Sequence, residues 1–299
     1  MQGVITGFAI ILAVIFVGWF LAVRGVIGSD RERLMFNKVA FYAATPALLF
    51  HSVATSDPAT VFTPVTLIIV LTTVVVAAIY IAVFWRKGIA NAASGAAASS
   101  YFNSVNIGLP VSIYVLGEST YAIPMVFIQM VLFTPIILGA LGGKSLLGAI
   151  KTGLLSPMVV ASALGFVVAY VGWTVPEPVM EPISLLGGAS IPMILMSFGA
   201  SLKTSAVLSD AAVRPQVALA TGLKLVGMPA IAFGLAHLFG LSTDHVYAAT
   251  ILAALPTAQQ VYNYAAAFQR GQTVARDTVF LTTFGALPVM LVIAVLFGR

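Results

Sequence analysis

Ten long apolar runs joined by short polar loops dominate this sequence of 299 residues. A helix needs roughly 20 apolar residues to cross about 30 Å of hydrocarbon, and a backbone in lipid must pair its polar groups internally. The runs predict an all-α integral membrane protein with ten transmembrane helices, called spans 1 to 10. Their limits are 4–23, 35–54, 64–84, 92–116, 122–141, 155–174, 180–201, 215–239, 246–268 and 276–297.

The composition supports lipid as the solvent of this chain. Hydrophobic residues make up 60% and charged residues 8%, and the mean hydropathy is +1.07. Such a chain has too little polar material to cover a water-soluble globule of this size. There are no cysteines, so disulfides, thiol chemistry and cysteine-ligated metals are excluded.

Basic residues occur in alternate loops, which predicts the topology. The loops after spans 1, 3, 5, 7 and 9 hold Arg24, Arg31, Arg33, Lys38, Arg86, Lys87, Lys144, Lys151, Lys203, Arg214, Arg270 and Arg276. The other loops hold Asp57, Glu118, Glu177, Glu181 and Asp244. Because cytoplasmic loops carry the excess of Lys and Arg, both termini are predicted on the outer side of a bacterial-type inner (plasma) membrane. The net charge of +5 is therefore a topology signal, and no nucleic-acid partner is predicted.

Prolines inside the spans indicate an internal repeat. Pro46 and Pro192 are 146 positions apart, and so are Pro110 and Pro256, each of which follows a leucine (192 − 46 = 146; 256 − 110 = 146). Two landmarks with one offset predict two related halves. For Pro46 and Pro192 alone, an ordinary helix kink is the favoured interpretation.

The repeat predicts two five-helix units, residues 1–146 and 147–299. Because five is an odd number of spans, the second unit must be inserted upside down relative to the first. Inverted repeats are characteristic of secondary transporters, whose binding sites lie at the repeat interface near the bilayer midplane.

Span 4 is predicted to be broken. Asn103, Asn106, Gly108 and Pro110 place two amides, a glycine and a proline in mid-membrane. Proline removes a backbone donor and clashes with the preceding turn, so the helix should unwind before Pro110 and restart near it.

Span 9 repeats this pattern at Pro256 and Thr257, followed by Gln259, Gln260 and Asn263. The last three share one helix face by their spacing. A break inside lipid must face protein, water or ligand, since unpaired backbone groups there cost several kcal/mol each. Structural use of these amides as interhelical glue is the alternative interpretation.

The two breaks together predict a substrate site. Half-helix N-termini offer N–H groups and partial positive charge, which suit a carboxylate. The opposing helix ends, with the amides of Asn106, Gln259 and Gln260, offer oxygen ligands that suit Na⁺. No cofactor is predicted besides Na⁺ or H⁺ as a coupling ion.

Lys224 is the one cation predicted near the bilayer centre. It lies nine residues after Pro215, or about 13 Å along a helix. A cation at that depth costs at least about 3 kcal/mol unless it faces a cavity or a partner. It is predicted to attract the substrate anion or to act as a charge switch, and pairing with helix-end carbonyls is the structural alternative.

The nine acidic residues all map to loops or helix ends, which argues against a proton pump built on a buried carboxylate. Sodium coupling, facilitated diffusion and proton co-transport through Lys224 or a histidine are all compatible with the sequence. His51 and His237 lie nearer the outer ends of their spans, where an interfacial role is favoured.

At these residues the chain resembles the auxin efflux carrier family, which includes the plant PIN carriers and bacterial relatives described as malonate or malate permeases. The resemblance covers essentially the whole chain. It is carried by the segment from Asn103 to Pro110, by Leu255-Pro256, by Phe284-Gly285-Ala286-Leu287-Pro288, and by Lys224 followed by Pro229.

The resemblance implies an elevator-type transporter. Spans 1, 2, 6 and 7 would form a scaffold domain, often dimeric, and spans 3–5 and 8–10 a transport domain. Asn103 and Asn263 would match the family's substrate-site asparagines. The fold also resembles that of sodium-coupled bile acid symporters, but their acidic residue on span 9 has no counterpart between Pro256 and Gln260. The long central loop of the plant carriers is missing, so auxin itself is not implied.

These observations predict secondary transport of a small organic anion, a mono- or dicarboxylate of malonate, malate or auxin type. An anion channel or a facilitated-diffusion uniporter is the alternative, although rings of pore-lining residues are not found. The sequence offers few catalytic residues for a membrane enzyme, since three histidines without a buried acid supply neither a nucleophile–base pair nor a metal cluster.

Overall fold

The computed structural model describes residues 2–56, 63–142, 154–155, 157–201, 208 and 210–299. These residues are almost entirely helical. The α-helices are α1 Gln2–Val23, α2 Asp30–Val39, α3 Thr45–Ala54, α4 Pro64–Phe84, α5 Ile89–Ser100, α6 Leu109–Tyr114, α7 Ala122–Ile128, α8 Thr134–Ala140, α9 Pro157–Val171, α10 Glu177–Ser201, α11 Arg214–Gly222, α12 Met228–Leu238, α13 Thr243–Ala253, α14 Gln259–Phe268 and α15 Gln272–Leu296.

Within the described part of the chain, five helical segments are long and apolar enough to cross a membrane. They are Pro64–Lys87, Ala122–Ala140, Glu177–Ala200, Ala211–Leu238 and Gln272–Leu296. Shorter apolar helices cover Ala9–Val23 and Pro157–Val171. The chain is therefore a multi-pass membrane protein. Ten spans in an inverted repeat stay a prediction, since the residues of predicted spans 4 and 9 form shorter helices on either side of a non-helical segment.

Wide helical turns precede four of the prolines. π-Helical turns at Ala40–Ala44, Ser104–Gly108, Gln129–Phe133 and Leu223–Gly227 each end two residues before a proline. A proline ring clashes with the carbonyl four residues earlier and offers that carbonyl no donor, and a widened turn relieves the clash. Pro46 follows the first of these turns, whereas Pro192 lies inside the continuous α10, so neither proline marks a break.

One group of helices, formed by α1, α3, α9 and α10, packs backbone to backbone at glycines. A Cβ atom on Gly199 would lie 1.9 Å from the carbonyl oxygen of Ile15, and one on Gly18 would lie 2.1 Å from that of Met196. Such approaches are open only to glycine, so α1 and α10 fit as a rigid pair. We call these four helices the first helix group.

Helices α4 to α6 and α11 to α15 form a second helix group, whose buried side chains make two apolar clusters. The contact between α1 and α6 joins the groups, and the core cluster there is apolar, with Ile11, Ile15, Val111, Val115 and Leu195. The first group contains the residues of spans 1, 2, 6 and 7. Their roles as scaffold and transport domains stay predictions.

The burial of Asp277 corrects the expectation drawn from the acidic residues. It lies in the second turn of α15, and its side chain is fully buried. One oxygen accepts from the backbone N–H of Leu208 at 3.0 Å, and the other pairs with Arg276 at 2.8 Å. The sequence placed it at a helix end, but α15 begins four residues before the predicted limit of span 10, so Asp277 lies inside the helix.

Candidate functional site

The first break separates α5 from α6 and comprises residues 101–108. Tyr101 leaves the helix with extended dihedral angles, and a π-helical turn then leads into α6, where Pro110 is the second residue. The helix is thus interrupted at residues 101–103 and restarts with the π-helical turn that Asn103 caps, so Pro110 lies inside the restarted helix, after that turn.

The second break separates α13 from α14 and comprises residues 254–258. α13 ends at Ala253 and α14 begins at Gln259, three residues after Pro256. Pro256 and Thr257 are buried in the non-helical stretch between them.

The two breaks cross and pair with each other. Phe102 and Thr257 form an isolated antiparallel bridge. The Asn103 N–H donates to the Pro256 carbonyl at 2.8 Å, and the Ala258 N–H donates to the Tyr101 carbonyl at 3.1 Å. Each break thereby supplies partners for backbone groups that the other has released from a helix, as a buried backbone requires.

Thr257 strengthens this crossing. Its hydroxyl donates to the Ala98 carbonyl in the last turn of α5 at 2.6 Å, and its N–H donates to the hydroxyl of Thr282 on α15 at 3.1 Å. The sequence predicted Thr257 as a substrate contact, but both of these polar atoms are engaged within the protein.

Asn103 is almost fully buried, with 3% of its surface exposed, and it caps the new helix. Its side-chain oxygen accepts from the N–H of Asn106 at 3.0 Å. Its amide nitrogen has no acceptor among the described residues. Asn106 is half-buried.

The amides of α14 differ from Asn103 in exposure. Gln259 and Gln260 are half-buried, and the side-chain oxygen of Gln260 is buried with no donor among the described residues. Asn263 is exposed. Gln260 therefore lies in a more enclosed position than Asn263.

Gly108 permits the close packing of the two breaks. A Cβ atom at this position would lie 3.1 Å from a methyl carbon of Leu255 and 3.2 Å from the carbonyl oxygen of Asn103. Its contribution in this structure is close packing, and contact with a substrate stays a prediction.

Lys224 links both breaks through a completely buried ammonium group. Nζ donates to the Ala253 carbonyl at 2.9 Å and to the sulfur of Met228 at 3.1 Å, and it lies 5.8 Å from the centre of the Phe102 ring. The bond to Ala253 is a pairing with a helix-end carbonyl, which was the structural alternative in the sequence analysis. Among the described residues the hydrogen-bond partners of Lys224 are neutral.

Two further residues hold the breaks and escaped the sequence analysis. Gln129, on the helical segment after the first break, bonds to Phe102 and Ser104, and Thr282 bonds to Thr257. The signal for Gln129 was present, since it is the one amide in the apolar run from 122 to 141.

The amino-acid sequence is similar to those of known membrane transport proteins. A family model described as "Membrane transport protein" matches residues 4–142 and 144–294. A protein of Rhizobium meliloti (strain 1021) named "Putative malonate transporter" is 28% identical, with 93% of this chain and 91% of that protein covered. The "Uncharacterized transporter YfdV" of Escherichia coli (strain K12) is 26% identical, with 83% of each chain covered.

Proposed function

Since this chain belongs to the membrane transport protein family, which matches its resemblance to auxin efflux carriers, we propose that it is a secondary transporter of a small organic anion. The substrate is a mono- or dicarboxylate, and malonate is the first candidate because a relative carries that name. The membrane is a bacterial inner membrane.

The observation that carries this proposal is the position of the Lys224 ammonium between the two breaks. A buried cation with neutral partners, beside two restarting helices, is an electrostatic environment that favours an anion. The amide nitrogen of Asn103 offers a directional donor to the same ligand.

Movement of the second helix group against the first is the proposed route across the membrane. Hydrogen bonds join helices within each group, such as Thr45 to Ser190 in the first and Thr257 to Ala98 in the second. Apolar side chains such as Ile11, Ile15, Val111 and Val115 form the contact between α1 and α6, which suits an elevator-type displacement. The first group would stay fixed and form the homodimer that the resemblance implies.

Lys224 also bears on the coupling ion. The carbonyl at the end of α13, one of the oxygens expected to suit Na⁺, already accepts from the ammonium. We therefore favour proton coupling or uniport over sodium coupling.

The test is thermal stabilisation of the purified protein by a panel of small carboxylates, each with Na⁺ or with K⁺ at equal ionic strength. We expect one acid to raise the melting temperature equally in both salts. Stabilisation that grows in Na⁺ would contradict the favoured coupling, and no response to any acid would contradict the substrate class. Conductance in a reconstituted bilayer would favour the channel alternative.

Separate Asn103→Ala and Asn263→Ala variants test the site. We expect Asn103→Ala to weaken binding of the stabilising acid about tenfold, as the loss of one hydrogen bond to a charged ligand does. The exposed Asn263 should have the smaller effect. Wild-type affinity in both variants, with normal folding, would contradict the assignment.

A further inference from the structure

Gln129 is a buried amide whose two polar ends both contact the first break. It begins the π-helical turn Gln129–Phe133, and 2% of its surface is exposed. Nε2 donates to the Phe102 carbonyl at 2.7 Å, and Oε1 accepts from the hydroxyl of Ser104. These two partners are the residues immediately before and after Asn103.

The chain makes a tight three-residue turn between those partners. The Ser104 N–H donates to the Phe102 carbonyl at 2.9 Å, and Asn103 has φ −81° and ψ 73°. These values are those of an inverse γ-turn with Asn103 at its centre. Gln129 therefore holds both ends of the turn that presents Asn103.

The side chain of Asn103 depends on the same turn. Its oxygen caps the N–H of Asn106, and its backbone N–H bonds to Pro256 of the second break. A change in the turn would rotate the amide nitrogen of Asn103 and also shift the contact between the breaks.

Only a group with one donor and one acceptor satisfies both partners of Gln129. A carbonyl requires a donor, and the Ser104 hydroxyl requires an acceptor when it donates. A protonated glutamic acid also satisfies both, whereas a glutamate would place its negative charge against the Phe102 carbonyl. An alkyl side chain would satisfy neither.

We propose that Gln129 is a positioning residue for the substrate, which fixes the γ-turn at residues 102–104 and so orients the Asn103 amide toward the bound carboxylate. This inference rests on the proposed function, because it assigns Asn103 to the binding site. The lone buried amide of the helix is thus a determinant of affinity in addition to its part in the packing of the helix.

The test compares wild type, Gln129→Glu and Gln129→Leu in the full-length purified protein, with malonate as the probe. Thr72→Val is the matched control, because it removes a buried hydroxyl that bonds only within its own helix. Hydrogen exchange of the peptide covering residues 101–108 and the malonate Kd are measured at pH 5 and pH 8. The ratio of variant to wild-type Kd at each pH cancels the titration of the probe.

We expect Gln129→Leu to weaken malonate binding about tenfold at both pH values and to speed exchange of residues 101–108, since the Phe102 carbonyl loses one of its two donors and the buried Ser104 hydroxyl loses its acceptor. Gln129→Glu should match wild type at pH 5 and approach Gln129→Leu at pH 8. Thr72→Val should leave both readouts unchanged. A merely structural role would lower the melting temperature without a pH-dependent Kd ratio.

Two results would overturn the inference, and they differ from failure of the proposed function. Exchange of residues 101–108 that is equal in wild type and Gln129→Leu would show that the amide does not hold the turn. Altered exchange with an unchanged Kd ratio at both pH values would show that the turn does not serve binding. If malonate fails to bind wild type, the substrate proposal fails, and the exchange measurement still decides whether Gln129 holds the turn.

Discussion

The two breaks share a Leu-Pro pair at repeat-related positions, yet they are built differently. Pro110 lies inside a restarted helix, as the second residue of α6 and after a π-helical turn, whereas Pro256 stands three residues before the restart, and its carbonyl accepts a bond from the first break. The first break is held by the neutral amide of Gln129, and the second by the ammonium of Lys224 and a hydroxyl.

Under the proposed function, this difference gives the two breaks different tasks. The first break would present an oriented donor, the Asn103 amide, and the second would lie beside the positive charge of Lys224, which bonds to the end of α13. An anion between them would receive direction from one side and charge from the other. The backbone hydrogen bonds between the breaks would keep Asn103 and Lys224 at a fixed distance from each other.

Removal of the Lys224 charge should have the largest effect on carboxylate binding among the changes considered. We expect Lys224→Met to weaken binding of the stabilising carboxylate by about 2 kcal/mol, or roughly 30-fold, since hydrogen bonds to charged groups contribute about 1.5–3 kcal/mol. Without ligand, its melting temperature should equal or exceed that of wild type, because a buried ammonium with neutral partners carries a desolvation cost. Isothermal titration and thermal unfolding measure the two quantities, and unchanged affinity would leave Lys224 a structural lysine.

Crowding at the contact between the breaks should have an intermediate effect. We expect Gly108→Ala to lower the free energy of unfolding by about 1–2 kcal/mol, because its Cβ atom would press against Leu255 and the carbonyl of Asn103. Leu255→Ala should partly relieve the strain, so the double variant should lose less than the sum of the single ones. Strict additivity would contradict the contact. Gly188→Ala is the control, since a Cβ atom there meets nothing within 4 Å.

The two prolines should give the smallest and most diagnostic difference. We expect Pro256→Ala to lower stability by about 1 kcal/mol, because the unfolded chain gains conformational freedom when a proline between two helices is replaced. Pro110→Ala should change it by less than about 0.5 kcal/mol, because the π-helical turn before Pro110 already relieves the clash between its ring and the preceding turn. Thermal unfolding of the two variants measures these changes in stability. Equal losses of stability would contradict the difference between the two prolines.

The sequence alone determined the local features of this protein. The apolar runs predict a membrane protein, and Pro110 and Pro256 mark the interruptions because a proline acts on its own helical turn. The position of Lys224 within an apolar run predicts its burial, which the structure contains. Each of these signals lies within one continuous segment of the chain, so no knowledge of its packing partners is required.

Only the tertiary structure decided which groups meet. The Ala253 carbonyl that receives Lys224 is 29 positions away, and the carbonyl that receives the Thr257 hydroxyl is 159 positions away. Packing likewise decided that the side-chain oxygen of Asn103 caps a helix, that Asn263 is exposed and that Asp277 is buried. Hydrogen bonds act over about 3 Å, so residues far apart in the chain become partners only after the helices have packed.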